Sequence, residues 1–447
     1  MERTKDMTQG SIGKQLWSFA IPLIFANIGQ QLYMIVDAAI VGRGVGVKAL
    51  AAVGAADWSY WLVLWAVIGL TQGFATFVSR YFGDKRYDDV NKTIAMSTVL
   101  CVIIGVFLTV VGLLGAKPLL RFLDTPADII DGASTYLITM ISGTMVMTAY
   151  NMTSAILRAF GDGKSPLVAM VIAAIVNVGL DLLFVMVFHW GIFGAAFASV
   201  LSQLVSFVYC FFCIKKIKCV KLSRDIWKID IEMIKELLMF SVPLGMQHVV
   251  ISVGGIILQS TLNLQGSMFV AGFTSVNKLY GLLECTAMSL GSAFSTFFAQ
   301  NYGAGHYDRV ISGVKIGSKM CILSAIVVML VVFAFGKNLI QIFLDVSADG
   351  GAEAFRVAWK YLLYMSYFMI VLYLIYVFRT VLQGMGNSFW SMVSGVGELV
   401  MRVFLGKAVY TYVGVEILYF VEPAAWVAAL LLVAIPYLWH RKRLIDR

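Results

Sequence analysis

The stretch FATFVSRYFGDKRYDDV, residues 74–90, returns at residues 294–310 as FSTFFAQNYGAGHYDRV. Seven of the 17 positions are identical: Phe74, Thr76, Phe77, Gly83, Tyr87, Asp88 and Val90 match Phe294, Thr296, Phe297, Gly303, Tyr307, Asp308 and Val310. Chance at ordinary composition gives about one. Outward from this pair, Pro22 recurs as Pro243, and Gly161-x-Gly163-x-Ser165 recurs as Gly384-x-Gly386-x-Ser388. The chain is therefore a single unit written twice, each copy filling about half of it.

What kind of unit follows from composition. Of 447 residues 60% are apolar and 13% charged, and the mean hydropathy is +0.85. A soluble domain has about 45–50% apolar and about 25% charged residues. These values exclude a soluble globular protein, a disordered chain and a disulfide scaffold. A span needs about 20 apolar residues, and twelve such windows lie at 16–40, 52–78, 93–115, 135–157, 166–188, 192–214, 238–261, 268–299, 315–336, 357–378, 388–410 and 421–439. The eighth is long enough to be tilted or broken. The expected fold is an all-α integral membrane protein with twelve transmembrane helices in two pseudo-symmetric six-helix bundles. Its parts are an N-terminal lobe at 1–214, a cytoplasmic linker at 215–235, and a C-terminal lobe with a short basic tail at 236–447.

Six spans per copy is even, so both copies enter the bilayer from the same side. With the termini inside, and cations within about a turn of a span end counted with the adjoining segment, inner segments hold 24 Lys and Arg and outer loops hold 8, with Lys278 and Arg402 well inside spans. That bias predicts cytoplasmic termini and explains the net charge of +9 as topology. The richest segment, 215–235, reads as an anchor between halves, although such a run also suits a nucleic acid or regulatory lipid. The first apolar run lacks a small-x-small cleavage site and reads as a retained span. Duplicated halves around a cavity are a transporter pattern.

Motifs for other chemistries fall short. Gly161-Asp-Gly163-Lys164-Ser165 has Arg158 where a phosphate loop needs glycine, and the second copy lacks the lysine. Transport without an ATPase module is driven by an ion gradient or is passive. No H-E-x-x-H or G-x-S-x-G is present, so no enzyme is expected. His248, the one histidine in a span, reads as a buried or cavity-lining group. Cys210-x-x-Cys213 ends a span with no strand-helix unit around it, so buried thiols are expected over redox chemistry.

Carboxylates within the bilayer cost about 2.5–3.5 kcal/mol on insertion scales and are functional by default. Asp37, Asp181, Glu284 and Glu398 lie in spans, whereas Asp57, Glu416 and Glu422 lie near span ends and can reach headgroups or water. Asn27, Gln30, Met34 and Asp37 share one helix face, as do Asn177 and Asp181. Asp37 follows Pro22 by the same number of positions, fifteen, as Asp181 follows Pro166, so both stand about 22 Å from the inner end. Ser199 reaches a similar depth from the other direction. Two acids, an amide and a hydroxyl would share a proton or hold a cation there, or else line an inert cavity. In the second half, Glu398 and Arg402 are four apart and suit an ion pair, whereas Lys278 and Glu284 do not face each other. The tyrosines at 361, 364, 367, 373 and 376 suit organic cations or plain packing.

These residues resemble the multidrug and toxic compound extrusion (MATE) family over essentially the whole chain, and within it the DinF-like branch. That branch carries an aspartate fifteen residues after the first-span proline (Pro22 and Asp37 here) and an Asn-x-x-x-Asp in span 5 (Asn177 and Asp181). It also carries a span-6 hydroxyl, here Ser199 in place of threonine. Gln30, Tyr136 and Asn151 fall where the branch has polar pocket residues. The NorM-like branch uses acids in spans 7 and 10, which are absent here and put a second-lobe sodium site in doubt.

The resemblance implies an antiporter of the cytoplasmic membrane exporting organic, chiefly cationic, compounds against H⁺ or Na⁺. Asp37, Asn177, Asp181 and Ser199 would bind the ion, with Na⁺ as the only metal. Gln30, Tyr136, Asn151 and Glu284 are candidates for the substrate pocket, and Pro22 for a bend. The expected partners are small organic cations and the lipid bilayer, with no nucleic acid, no cofactor beyond the coupling ion, and a monomer. A lipid-linked oligosaccharide flippase of related architecture is the alternative, wanting several cavity cations for a pyrophosphate, with a passive channel or receptor as a third class.

Overall fold

In the computed structural model, residues 4–123, 125–221, 223–344, 346–347 and 350–445 are described; the ends of both expected lobes, 1–3 and 446–447, lie outside them. Fifteen α-helices and no strand are found among the described residues. The first half contains α1 (Ile12–Gly44), α2 (Val47–Gly83), α3 (Tyr87–Phe122), α4 (Ile130–Ser142), α5 (Thr144–Ala159), α6 (Lys164–Asp181) and α7 (Gly191–Lys215). The second contains α8 (Ile231–Leu262), α9 (Ser267–Gly303), α10 (Tyr307–Gln341), α11 (Gly351–Tyr367), α12 (Met369–Gly384), α13 (Phe389–Val403), α14 (Tyr410–Val413) and α15 (Val421–Ile445).

All twelve expected spans fall on helices, but not all as single rods. Among the described residues nine helices are long and apolar enough to cross a membrane, and α11 with α12, bent by 47°, makes a tenth. The remaining two spans are interrupted. Span 4 breaks at Gly143 into α4 and α5. Span 11 passes from α13 into a π-helical turn, Phe404–Val409. A π turn also ends span 5, at Leu182–Val187. Span 8, expected to be a candidate for breakage, is instead the continuous 37-residue α9.

The chain divides into two compact units: Met1–Asp6 with Ile21–Gly245, and Met7–Ala20 with Met246–Arg447. This departs from the expected 1–214, 215–235 and 236–447 in two places. The stem of α1 groups with the second unit, and the stem of α8 groups with the first. In each case the change falls close to a proline, Pro22 or Pro243, inside a continuous helix. Packing gives the reason. In the second unit, Met7, Leu16 and Ala20 are fully buried. Gln300 accepts the Met7 N–H at 2.8 Å, Asn301 donates to the Met7 carbonyl at 3.0 Å, and Arg309 donates to the carbonyls of Met7 and Gly10 at 3.1 and 2.9 Å.

In the first unit, Leu237 joins the core of Phe74, Leu157 and Phe160, and Phe240 meets the edge of Phe77 at 5.3 Å. A Cβ on Gly69 would lie 2.7 Å from the Leu244 carbonyl, so Gly69-x-x-x-Gly73 lets α2 cross the α8 stem at close range. The linker ahead of that stem is tied by Asn91, which donates to the Cys219 carbonyl at 3.0 Å and accepts from the Lys221 N–H at 2.8 Å. Within the first unit α2 packs on α3, α4 and α5, and α7 on α4, α5 and α6; within the second, α9 packs on α10, α11 and α12, and α15 on α12 and α13.

Candidate functional site

The first unit brings the four expected ion ligands together. Asn177 and Asp181 lie one turn apart on α6, fully buried, and Ser199 on α7 is 6% exposed. With its NH₂ turned to the acid, Asn177 donates to Asp181 Oδ2 at 2.7 Å, and its oxygen accepts the Ser199 N–H at 3.2 Å. Turned the other way, the NH₂ faces Ser199 Oγ at 3.3 Å and the amide oxygen faces the carboxylate, acceptor against acceptor. The first arrangement is therefore the one adopted.

Asp37, half-buried on α1, stands within hydrogen-bonding reach of Asp181. Two carboxyls can hydrogen-bond only with a proton between them, and a cation between them serves the same purpose. One oxygen of each, Oδ1, is buried and lacks a hydrogen-bond partner among the described residues. Two carboxylates, an amide and a hydroxyl make a hard oxygen-donor set. Among the described residues no three His, Cys, Asp or Glu side chains gather as a metal cluster. Local geometry explains how Asp181 is placed. It is the last residue of α6, and the helix widens immediately after it into the π turn, a distortion that is frequent at functional sites.

Other residues belong to this cluster that spacing alone did not single out. Tyr33, one turn before Asp37, hydrogen-bonds Ser199. Tyr60 accepts from Gln203, one turn after Ser199, at 3.4 Å. Asp57, expected at headgroup level, hydrogen-bonds Tyr136 instead, and Tyr136 is 7% exposed. Tyr136 thus joins the site region. Asn151 is on α5 and donates to its own helix at Met147 O, 2.9 Å. Gln30 is exposed on α1. Glu284 lies in the second unit, on α9.

The second unit repeats the architecture but not the chemistry. Its π turn, Phe404–Val409, holds the place in the repeat that Leu182–Val187 holds in the first, and the polar pair one turn apart beside it is Glu398 and Arg402. The expected ion pair is present at 3.3 Å, within a larger network. Arg402 also pairs with Glu422 at 2.8 Å, and Arg379 pairs with Glu398. Glu422 therefore does not reach outward as expected, and Arg379, one position past the window that ends at 378, sits on α12. Two arginines and two glutamates balance. Where the first unit offers unpartnered carboxylate oxygens, the second supplies guanidinium groups.

The remaining motifs resolve structurally. Asp162 accepts the N–H groups of Lys164 and Ser165 at 3.0 and 2.9 Å, so a carboxylate already fills the place a phosphate loop would keep for its ligand. The left-handed glycines of the two copies are Gly161 (φ 76°) and Gly386 (φ 86°), whereas the letter that matches Gly161 is Gly384. All six cysteines are free thiols. Tyr361 stacks on Phe273 at 4.0 Å, Tyr364 packs against Phe420 at 4.3 Å, and Tyr373 donates to the Leu283 carbonyl at 2.8 Å. These three pack; Tyr376 reaches Glu284.

A family profile described as MatE matches residues 22–183 and 243–406, one match opening at each of the paired prolines. The probable multidrug resistance protein YpnP of Bacillus subtilis (strain 168) is similar, at 31% identity over 76% of this chain and 76% of its own length. The probable multidrug resistance protein YoeA of the same organism is 24% identical over 99% and 97%. Among solved structures, a crystal structure of MATE in complex with MaL6 superposes with a TM-score of 0.89 at 21% identity, covering 99% and 98%.

Proposed function

The chain belongs to the MatE family of multidrug efflux transporters, and on that premise we propose that it is a secondary antiporter exporting organic cations in exchange for H⁺ or Na⁺. The observation that carries this reading is the contact of Asp37 with Asp181 inside the first unit. Asn177 holds Asp181 in place through its amide, and the remaining carboxylate oxygens receive the ion. The same residues support a place in the DinF-like branch.

Asp37 rides on α1, while its three partners ride on α6 and α7. An ion bridging Asp37 to Asp181 therefore ties α1 to the rest of the site, and Pro22 gives α1 a point at which to bend when the tie forms or breaks. Exchange follows if ion and drug stabilise different α1 positions. The membrane potential contributes about 2.3 kcal/mol per charge per 100 mV, ample to bias that choice. The loop bias supports a cell-membrane protein with both termini cytoplasmic, and a two-lobe chain needs no partner. The flippase alternative wants several free cavity cations; Arg379 and Arg402 are held by glutamates, and Lys278, over the Phe343 ring, is a single charge.

The test is transport in proteoliposomes under an imposed pH gradient and, separately, an imposed Na⁺ gradient, reading a fluorescent organic cation. Movement driven by one gradient and lost in Asp37→Asn is the expected result. Full gradient-driven movement in Asp37→Asn would overturn the assignment.

A further inference from the structure

Of the two cations that lie well inside the expected spans, Arg402 is neutralised by glutamates, whereas Lys278 has no carboxylate partner among the described residues. Lys278 stands on α9, eleven positions after Ser267, about 16 Å along the helix. That is about half of a hydrocarbon core roughly 30 Å thick. Phe343, just past the end of α10, has its ring centroid 5.9 Å from the Lys278 Nζ. A ring face at that range attracts an ammonium weakly and leaves its charge in place. A cation at such depth is costly unless something negative joins it.

There is room for a partner. Lys278 lines a cavity of about 610 Å³ within the second unit, inside the usual ligand-pocket range of about 300–1,000 Å³. One face of α9 supplies much of its lining, because Ser267, Val270, Thr274 and Lys278 follow one another by three or four positions. Phe343 adds apolar surface, and Asn263, from the turn ahead of α9, adds an amide. Asn263 Oδ1 accepts from Gln259 at 2.8 Å, so its own N–H groups are what it offers the cavity. The polar lining is thus an ammonium, an amide and hydroxyls, with no carboxylate among the described lining residues. Donors beside an apolar wall are the chemistry that recognises an oxyanion carrying an apolar body. The single ammonium matches one negative charge, not the several of a pyrophosphate.

We propose that this cavity binds an amphiphilic monoanion, with a phosphate-diester or carboxylate head on Lys278 and Asn263 and an apolar body along Val270 and Phe343. An anionic phospholipid and a water-soluble dialkyl phosphate share that chemistry. The site is separate from the ion ligands of the first unit and does not depend on them.

The experiment uses the full purified chain in a non-ionic detergent, read by titration calorimetry. The probes are dihexanoyl phosphatidylglycerol, its zwitterionic counterpart dihexanoyl phosphatidylcholine, and dibutyl phosphate. Lys278→Gln should weaken phosphatidylglycerol binding about tenfold or more and change phosphatidylcholine binding less than about twofold. Lys278→Arg, which keeps the charge, should retain the preference for the anionic lipid. Asn263→Asp, in an exposed turn, places a negative charge at the cavity and should cause the same selective loss. It is the deciding variant if Lys278→Gln does not stay monodisperse. Competition by dibutyl phosphate marks a site that also takes soluble anions, and failure to compete marks a lipid site; both fit the proposal. Unchanged phosphatidylglycerol affinity in Lys278→Gln, or equal losses for both lipids, overturns it. So does an anion preference that appears only in Asp345→Asn, a position outside the described residues, because Lys278 would then be neutralised by its own chain. Asp37→Asn should bind the anion as the parent does, which keeps this result apart from the coupling assignment.

Discussion

Replacing Arg402 by methionine tests how the second unit carries its buried charge. Arg402 donates Nε to Glu422 Oε1 at 3.0 Å, Nη2 to Glu422 Oε2 at 2.8 Å and to Glu398 Oε2 at 3.3 Å, and Nη1 to the Ile251 carbonyl at 3.0 Å. Methionine keeps most of the apolar stem, so the loss is charge and hydrogen bonding rather than volume. Glu398 retains Arg379, whereas Glu422 loses its one cation among the described residues. Orphaning a member of a buried pair costs about 3–5 kcal/mol. For a unit of roughly 200 residues, at about 2.1 cal/mol/K of unfolding entropy per residue, that cost lowers the Tm by roughly 7–12 °C. Fluorescence-detected melting of the full chain in detergent reads the shift. Arg402→Met/Glu422→Leu removes the orphan and leaves Arg379 with Glu398, so it should recover most of the loss. The reasoning is refuted if Arg402→Met melts within about 2 °C of the parent, or if the double variant is as unstable as the single.

Three further outcomes are expected. Asp162→Ala removes the cap of α6 and should cost about 1–2 kcal/mol by the same melt, with Asp162→Asn retaining most of it; equal losses would deny the capping role. Arg309→Met removes the donors to Met7 and Gly10, so peptides spanning residues 4–11 should exchange amide hydrogens about tenfold faster; unchanged exchange would show the stem is held without it. At the linker, the Lys92 hydrogen bond holds the Asp230 carboxyl below the usual carboxylate range. Its contribution is therefore present at neutral pH and lost as pH falls through that lowered value. The Tm deficit of Asp230→Asn should shrink below about pH 4, and a deficit independent of pH would argue against the ion pair.

Much of the molecule was legible because bilayer constraints are strict. Twelve apolar windows map to helices, and equal spacing from Pro22 and Pro166 puts Asp37 and Asp181 at one depth with Ser199, while a step of four puts Asn177 on the face of Asp181. The misses have physical causes. Apolar windows end where hydropathy falls, but helices continue, so the window ending at 378 hid Arg379, although α12 runs to Gly384. Asp57 and Glu422 seemed free to reach water because hydropathy cannot see a partner on another helix, here Tyr136 or Arg402. The breaks at Gly143 and Phe368 carry no proline, and π turns have no letter code. The Gly-x-Gly-x-Ser letters aligned out of geometric step because Gly161 and Gly386, not the matching letters, occupy the left-handed turn.

The stems of α1 and α8 carry a consequence for the history and handling of this chain. Residues 7–20 complete the unit encoded by the second half, and residues 231–245 complete the unit encoded by the first. A half-length ancestor would have lacked its own stem and obtained it from another copy, as in an arm-exchanged homodimer. Severing the chain in the linker between 214 and 236 would give fragments that each carry the other's missing piece, so the halves should be soluble and ordered in detergent only when produced together.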